Sequence, residues 1–586
     1  MTCSPHAGEQ DALDQALASV RHAFLVAGIF SLFINVLMLA GPLYMLQVYD
    51  RVLTSHSIPT LVALTVLLIV LYVALGLLEG VRSQMLNRAA GRLDRMLGPA
   101  TLETISRCRL ESGRDVADEP LRDLAVVRQF VSGSGPPAFF DVPWTPIFLA
   151  ITFLIHWTLG AFALAAAFAM VVLALLNEVR TKSLLRNSKT ATDFANRMAT
   201  ESGRNTEAMV AMAMTQPIVD RWRYAHGLAD DMLRRAGDRM VAFSTATRTL
   251  RLFVQSGLLA IGAVLVIKQS ITPGMMIAVS IIGGRAVAPV GQAVAQWRGL
   301  LAAREAFARL KDLLRSYPTE SLKMTLPTPQ GRIELRRVCA APPGIERPVL
   351  KDISFKLAAG EALGVIGPSA AGKSTLAHVL LGLWQPQSGS VRFDGSDLSV
   401  WNRNEMGRKI GYVPQNVELF DGTIAQNISR FYPDATPEAT CRAASRAAVH
   451  DYILALPDGY NMRIGAGGGR LSAGQRQRIG LARAVYGDPV LVVLDEPNAN
   501  LDAPGEAALL HTLRSLKASA TTVILITHRP AGLDLVDRFL VLDQGEIRAF
   551  GPKSSVVHIM NRQALSRGEP AHRVSARKSR QSKERG

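Results

Sequence analysis

Residues 23–49 contain no charged side chain, and after Asp50 and Arg51 residues 52–78 contain none either. A helix needs roughly 20 apolar residues to cross a hydrocarbon core, so this stretch predicts a hairpin of two spans. Residues 142–177 are likewise free of Asp, Glu, Lys and Arg. They are too long for one crossing and turn back at "HWTLG", residues 156–160. Residues 252–284 hold a single charge, Lys268, followed by "QSITPG", and form a third hairpin. Six spans are expected, at about 23–47, 58–79, 143–157, 160–177, 251–268 and 274–295. Uncharged runs of this length favour spans over buried helices of a soluble protein. The first is too long for the apolar region of a signal peptide and lacks a clear small-residue cleavage site.

Lys and Arg set the orientation. The three hairpin turns carry Arg51, nothing and Lys268, whereas residues 79–141 and 178–251 carry nine and thirteen basic residues. By the positive-inside rule the long polar segments are cytoplasmic. With an even number of spans, both termini are too. These loops and a basic end explain much of the net charge of +17. No aromatic-basic recognition motif accompanies that charge, so nucleic acid is not expected as a partner. The end itself, residues 565–586, is expected to be disordered. It is either an inert solvated tail or a contact for anionic membrane lipid. The four cysteines stand far apart without metal-ligand spacing, as reduced cytosolic thiols do.

At residues 316–330, "SYPTESLKMTLPTPQ", the apolar spans give way to a Pro-containing linker, after which short β-branched runs alternate with helical patterns. The chain therefore divides into an N-terminal segment (1–20), a transmembrane domain (21–315), the linker, an α/β domain (331–564) and the tail. Within the α/β domain, "EALGVIGPSAAGKSTLAHVLLGL" is a strand, a loop and a helix with the spacing G-x-x-x-x-G-K-S. The cradle comprises Gly367, Pro368, Ser369, Ala370, Ala371, Gly372, Lys373, Ser374 and Thr375. Its glycines let backbone N–H groups wrap phosphates, Lys373 reaches the β and γ phosphates, and Ser374 offers a hydroxyl to Mg²⁺. "PVLVVLDEP" is a buried parallel strand ending in Asp495, placed for the Mg²⁺ shell, and Glu496, placed to polarise an attacking water. A second anion site stands at "LSAGQRQRIGLARAV", where a helix opens behind Ser472, Ala473 and Gly474.

The P-loop, "YVPQ" with Gln415, "LSAGQ", "LDEP", "NLD" with Asp502 and "ITH" with His528 occur in the order typical of ATP-binding-cassette transporters. Six spans followed by one cassette resemble an exporter half-transporter over nearly the whole chain. The fold class is then an α-helical six-span membrane domain of exporter type followed by a cytoplasmic α/β P-loop ATP-binding cassette. The resemblance implies that the signature motif faces the P-loop of a second cassette, head to tail. Ser472, Gly474 and Gln475 would hold ATP bound on the other subunit of a homodimer, with Asp502 at the dimer interface. It also implies that Gln415 senses Mg²⁺ and the γ-phosphate and that His528 contacts the γ-phosphate. Three departures stand out: Ala473 replaces a common Gly, Pro342 occupies the place of an adenine-stacking aromatic, and Ala466 stands where exporters often carry Glu.

"PLYMLQVYDRVLTSHS" (42–57) and "FFDVPWTPIFLAI" (139–151) closely resemble the ATPases of type I secretion, especially the protease-exporting branch. That resemblance implies export of an unfolded polypeptide with an uncleaved C-terminal signal from the cytoplasm. The route runs through the inner membrane, a periplasmic adaptor and an outer-membrane channel. About twenty residues precede the first span, too few for the peptidase domain of some relatives. A drug or lipid exporter with the same fold is the alternative. Two cytoplasmic amphipathic stretches, 119–131 and 207–222, are expected to dock on the cassette, or else to pack on the membrane domain's own extensions.

Overall fold

The computed structural model describes residues 7–113, 119–317, 326–529 and 532–556. The tail at 565–586, linker residues 318–325 and the side chain of Ala466 lie outside the described residues. The chain forms two compact units, one of residues 1–105 and 117–319, the other of 106–116 and 320–586.

The first unit is helical, residues 106–112 of α4 being counted with the second: α1 (Ala7–Leu37), α2 (Ala40–Gln47), α3 (Leu53–Ser55), α4 (Ile58–Ser112), α5 (Glu119–Ser132), α6 (Gly135–Asp141), α7 (Thr145–Ile155), α8 (Trp157–Arg204), α9 (Thr206–Ala211), α10 (Thr215–Ile267) and α11 (Pro273–Ser316). Among the described residues, six stretches are long and apolar enough to cross a membrane. Helix α4 runs for 55 residues, roughly 80 Å at 1.5 Å per residue, far more than a bilayer needs.

The first span is not one straight helix. Pro42 has no N–H for the carbonyl of Met38 and its ring crowds that turn, and the helix breaks there between α1 and α2. The second hairpin turns more tightly than its sequence suggests. His156 alone is extended, and its Nδ1 accepts from the Thr158 N–H at 3.3 Å, so α8 starts at Trp157. A Cβ on Gly160 would lie 2.3 Å from the Phe153 ring, which explains the glycine at this close crossing.

Both stretches that resemble type I secretion ATPases supply a bridging aspartate. Asp50 caps α11, accepting from the Gly274 N–H at 2.8 Å and from the Thr272 hydroxyl. Asp141 accepts from Asn35 Nδ2 at 2.9 Å and pairs with Arg82 at 3.4 Å. Arg82 also donates to Ser31 Oγ at 2.6 Å. Ser31, Asn35 and Arg82 are buried, so this network ties α1, α4 and α6 together where stray polar groups would be costly.

Of the two amphipathic stretches, α5 is explained by its own unit. Leu124, Val127 and Val131 pack with Leu93 and Leu97 of α4 and Leu310 and Leu314 of α11 in one buried cluster. Arg309 of α11 forms a bidentate pair with Asp123 of α5. The α5 face is therefore core of the helical unit. The segment around α9 keeps Val210 and Met212 exposed. Placing Asp at positions 124 and 127 buries two charges without partners, which costs several kcal/mol. We expect L124D/V127D to lose folded protein, read as low membrane abundance and aggregation on gel filtration; a well-folded variant defective only in coupling would contradict this packing.

The second unit joins two sheets. A four-stranded antiparallel-rich sheet has the order β2-β1-β4-β5, from Leu350–Leu357, Ile333–Ala340, Ser388–Phe393 and Ser396–Asp397. A six-stranded sheet has the order β10-β9-β3-β8-β7-β6, from Glu546–Pro552, Arg538–Asp543, Ala362–Ile366, Thr522–Ile526, Leu491–Asp495 and Ile410–Val413. In it β9, β3, β8, β7 and β6 are parallel. Strands β7 and β8 are buried along their whole length, which is why they read as unbroken apolar runs. This order gathers the carboxyl ends of β3, β6, β7 and β8, the place where open parallel sheets bind ligands.

Candidate nucleotide site

The loop after β3 needs its glycines. A Cβ on Gly367 would meet the Leu542 carbonyl at 2.1 Å, and Gly372 has φ +96°. Ala370 also lies in the left-handed region, at φ +62°. Gly372 is the N-cap of the P-loop helix, Lys373–Leu380. Pro368, Ser369 and Ala370 are exposed, whereas Ala371, Lys373 and Thr375 are buried and Ser374 is half-buried. The loop is fixed to the sheet by the Gly545 N–H, which donates to the Ala371 carbonyl at 3.2 Å. Lys373 Nζ donates to the Gly367 and Pro368 carbonyls at 2.9 and 2.8 Å, which centres the ammonium in the loop. Burial lowers its pKa, opposed by the charges of Glu496 and Asp495.

Asp495 ends β7 and is 2% exposed. Burial pushes its carboxyl above the usual range and the Glu496 charge adds to this, while the Ser374 hydroxyl, His378 and Lys373 favour the charged form. Its Oδ1 is buried and has no hydrogen-bond partner among the described residues. An orphaned carboxylate oxygen beside the Ser374 hydroxyl is a donor set for a hard divalent cation. Because burial penalises this charge, we expect Asp495→Asn to raise the melting temperature of protein freed of nucleotide and metal while abolishing turnover. A lower melting temperature in differential scanning calorimetry would contradict the assignment.

Glu496 sits at φ +47°, a strained position for a residue with a Cβ. Its N–H donates to the Ile526 carbonyl at 2.9 Å. Its carboxylate is held from two sides, by His528 Nε2 at 2.6 Å after β8 and by Gln415 Nε2 at 3.0 Å after β6. With the Gln415 amide nitrogen on Glu496, its carbonyl oxygen is left as an acceptor-type ligand. Two residues from two separate motifs thus converge on the carboxylate of a third.

Ser472 is the N-cap of the signature helix, Ala473–Val485, in a capping box. Its Oγ accepts from the Gln475 N–H at 3.3 Å, and Gln475 Oε1 accepts from the Ser472 N–H at 2.8 Å. The helix begins two residues before Gln475, so Ala473 and Gly474 lie inside its first turn with the unpaired N–H groups such a turn presents. A Cβ on Gly474 would lie 2.8 Å from the Asn500 carbonyl. Among the described residues no hydrogen bond joins Ser472 or Gln475 to the P-loop. Asp502 caps the helix Ala503–Ala518 through the Gly505 N–H at 2.9 Å and pairs with Arg478 of the signature helix at 3.2 Å.

Three residues were not singled out in the sequence. Arg478 links the signature helix to Asp502. Asn498 is buried and its Oδ1 accepts from the Thr527 hydroxyl at 3.2 Å, joining the loops of Glu496 and His528. His378 donates from Nδ1 to the Ser374 carbonyl at 2.6 Å and stacks on Trp384. The signal for Asn498 lay in "LDEPNANLD", between two motifs. At the expected adenine position, Pro342 is half-buried in a turn closed by the Ile345 N–H on its carbonyl at 3.1 Å.

Family models match the chain twice: ABC transporter transmembrane region at residues 24–282 and ABC transporter at residues 350–499. The chain is 45% identical over 544 residues to the type I secretion system ATP-binding protein PrsD of Rhizobium meliloti, covering 92% of this chain and 93% of that protein. It is 30% identical to the cyclolysin secretion/processing ATP-binding protein CyaB of Bordetella pertussis, over 92% of this chain and 77% of that one. It is 29% identical to the alpha-hemolysin translocation ATP-binding protein HlyB of Escherichia coli, over 91% and 76%. Among solved structures, a bacterial Atm1-family ABC exporter with ATP bound matches with a TM-score of 0.76 and 22% identity, covering 95% of this chain and all of that one. That last likeness is one of fold.

Proposed function

This chain belongs to the ATP-binding-cassette transporter family, in its type I secretion branch, and on that premise we propose that it exports an unfolded polypeptide bearing a C-terminal signal. It is an inner-membrane protein that couples ATP hydrolysis to transport. In our reading two identical copies pair head to tail and work with a periplasmic adaptor and an outer-membrane channel. In this reading the membrane stretches at 42–57 and 139–151 favour the protease-exporting branch. The observation that carries this reading is near-full-length similarity to a type I secretion ATPase, joined to a cassette that holds a P-loop, a signature helix and the Asp495–Glu496 strand end.

The proposed mechanism follows from the geometry. P-loop N–H groups and Lys373 hold the phosphates, and the N–H groups at the start of the partner's signature helix approach the γ-phosphate from the other side. Glu496 orients and polarises the attacking water, while Gln415 and His528 keep its carboxylate in place. Bound Mg²⁺ would supply positive charge to offset that developing on the phosphates. Asp495, Ser374 and the Gln415 carbonyl would hold it. Asn498 keeps the Glu496 and His528 loops in register.

The test is capture. Cells of the source bacterium carrying Glu496→Gln in place of the wild-type chain accumulate stalled transporter, which is purified and its co-purifying proteins identified by mass spectrometry. We expect one or a few polypeptides, absent from a Lys373→Ala control, whose capture is lost when their C-terminal ends are removed. If no polypeptide is enriched, and the purified protein alone moves a small amphiphile across vesicles, the reading as a polypeptide exporter is wrong.

A further inference from the structure

A cavity of about 380 Å³ opens between α8, α10 and α11, at the ends of the fourth, fifth and sixth spans that the positive-inside rule assigns to the cytoplasm. Its volume lies in the range of ligand sites, roughly 300–1,000 Å³. Three arginines line it: Arg248 and Arg251 from α10, and Arg298 from α11. The nearest acidic partner is Glu178, 3.8 Å from Arg298 Nε. Arg298 Nη1 donates to the thioether sulfur of Met240, a weak acceptor. Its Nη2 is buried and has no partner among the described residues. No hydrogen bond or ion pair engages Arg248 or Arg251 among the described residues. Arginines gathered at the edge of the spans, with one acid against three, leave donor capacity directed into the cavity.

From this geometry we infer that the cavity is a cargo-binding site that selects polypeptide segments carrying Asp or Glu side chains. The inference rests on the polypeptide-export reading and names what that cargo must offer. Guanidinium forks take carboxylates in paired, charge-assisted hydrogen bonds. The same wall carries Asn177 and Gln292. Their amides donate and accept, as the unpaired backbone N–H and C=O groups of an unfolded chain require away from water. Met240 supplies an adaptable apolar surface that fits varied neighbouring side chains. A phospholipid headgroup shares the anionic chemistry, but it brings no backbone amides for Asn177 and Gln292. The cavity is also set between three helices of one chain rather than on a single helix face.

The experiment uses the full chain in nanodiscs of zwitterionic lipid. A fluorescent, unstructured Asp-rich peptide and its Asn counterpart are titrated and binding is read by anisotropy. We expect the Asp peptide to bind about tenfold more tightly, the difference between charge-assisted and neutral hydrogen bonds. R248Q/R251Q should remove that preference while leaving the Asn peptide's affinity within about twofold. The exposed pair is the primary variant, because Arg298→Gln alters a buried contact; R248K/R251K, which retains the charges but not the paired donor forks, should keep only part of the preference. Equal binding of both peptides to the wild type, or a preference that survives R248Q/R251Q, overturns this site and leaves the export reading standing. If neither peptide binds, the inference fails, and the export reading is decided by the Glu496→Gln capture experiment instead. If anionic lipid shifts the affinity for a labelled headgroup in an Arg248- and Arg251-dependent way while the peptides bind alike, the cavity is a headgroup site and the inference is overturned.

Discussion

Glu496→Gln lowers the steady-state ATPase rate by about 10²–10⁴-fold, the range that a positioned general base contributes, while ATP affinity stays within a few-fold of wild type. The carboxylate lies outside the phosphate cradle. Lys373, the loop N–H groups and the Gly372-capped helix are untouched by the change. Gln is isosteric but keeps one acceptor oxygen, so of the two donors that hold the separate wild-type carboxylate oxygens, His528 at 2.6 Å and the Gln415 amide at 3.0 Å, only one keeps its partner in place. The strained backbone at φ +47° is fixed by the Ile526 carbonyl and by neighbouring turns rather than by the side chain. The variant therefore folds, binds ATP and stalls. Turnover within tenfold of wild type, measured by phosphate release with equilibrium binding of a fluorescent ATP analogue as control, would remove Glu496 from this role.

The second large effect belongs to the composite site. The signature helix begins with a capping box that spends the Ser472 N–H and Oγ lone pair internally, but Ala473 and Gly474 keep first-turn N–H groups for an anion. Arg at position 472 destroys the cap, costing about 1 kcal/mol locally, and fills the approach to those N–H groups. Lys373→Ala instead empties the cradle of its cation. Each variant as a homodimer has no intact site and should fall by about 10²-fold or more in turnover, the cost of losing a principal charge-stabilising group. A purified heterodimer of the two regains one site, formed by the P-loop of the Ser472→Arg chain and the signature of the Lys373→Ala chain. We expect a substantial fraction of wild-type turnover from that heterodimer alone. A heterodimer as inactive as its parents, or single variants that hydrolyse ATP normally as monomers, would mean the two motifs do not share a nucleotide.

The nucleotide machinery was legible because each motif is a local backbone requirement. Gly372 is a glycine for its left-handed φ of +96°, a requirement of the loop itself, while Gly367 makes room for the Leu542 carbonyl of the neighbouring strand. Asp495 and Glu496 follow an apolar run that can only be a buried strand. What the sequence could not disclose is adjacency. Residues 415, 496 and 528 meet because the strand order places β6 beside β7 and β7 beside β8, and no local pattern encodes that order. The same holds for Asn498 on Thr527 and Arg478 on Asp502. An amphipathic face such as that of α5 says that something covers it, not what. Leu124 and Val127 are covered by α1, α4 and α11 within their own unit. Pro42 was visible in the sequence, yet an apolar run long enough for a span gives no sign that the helix pauses at Met38–Leu39.

In our reading the cassette's ATPase drives a polypeptide out of the cell. The most direct test of that reading compares the culture-supernatant proteome of the source bacterium carrying the wild-type chain with that of a strain whose only copy carries Lys373→Ala, membrane abundance of the two being matched. We expect at least one polypeptide to disappear from the supernatant and to be retained, with its C-terminal end intact, in the cytoplasm rather than the periplasm. An unchanged supernatant proteome, with the variant present at normal level and shown not to bind ATP, would contradict it.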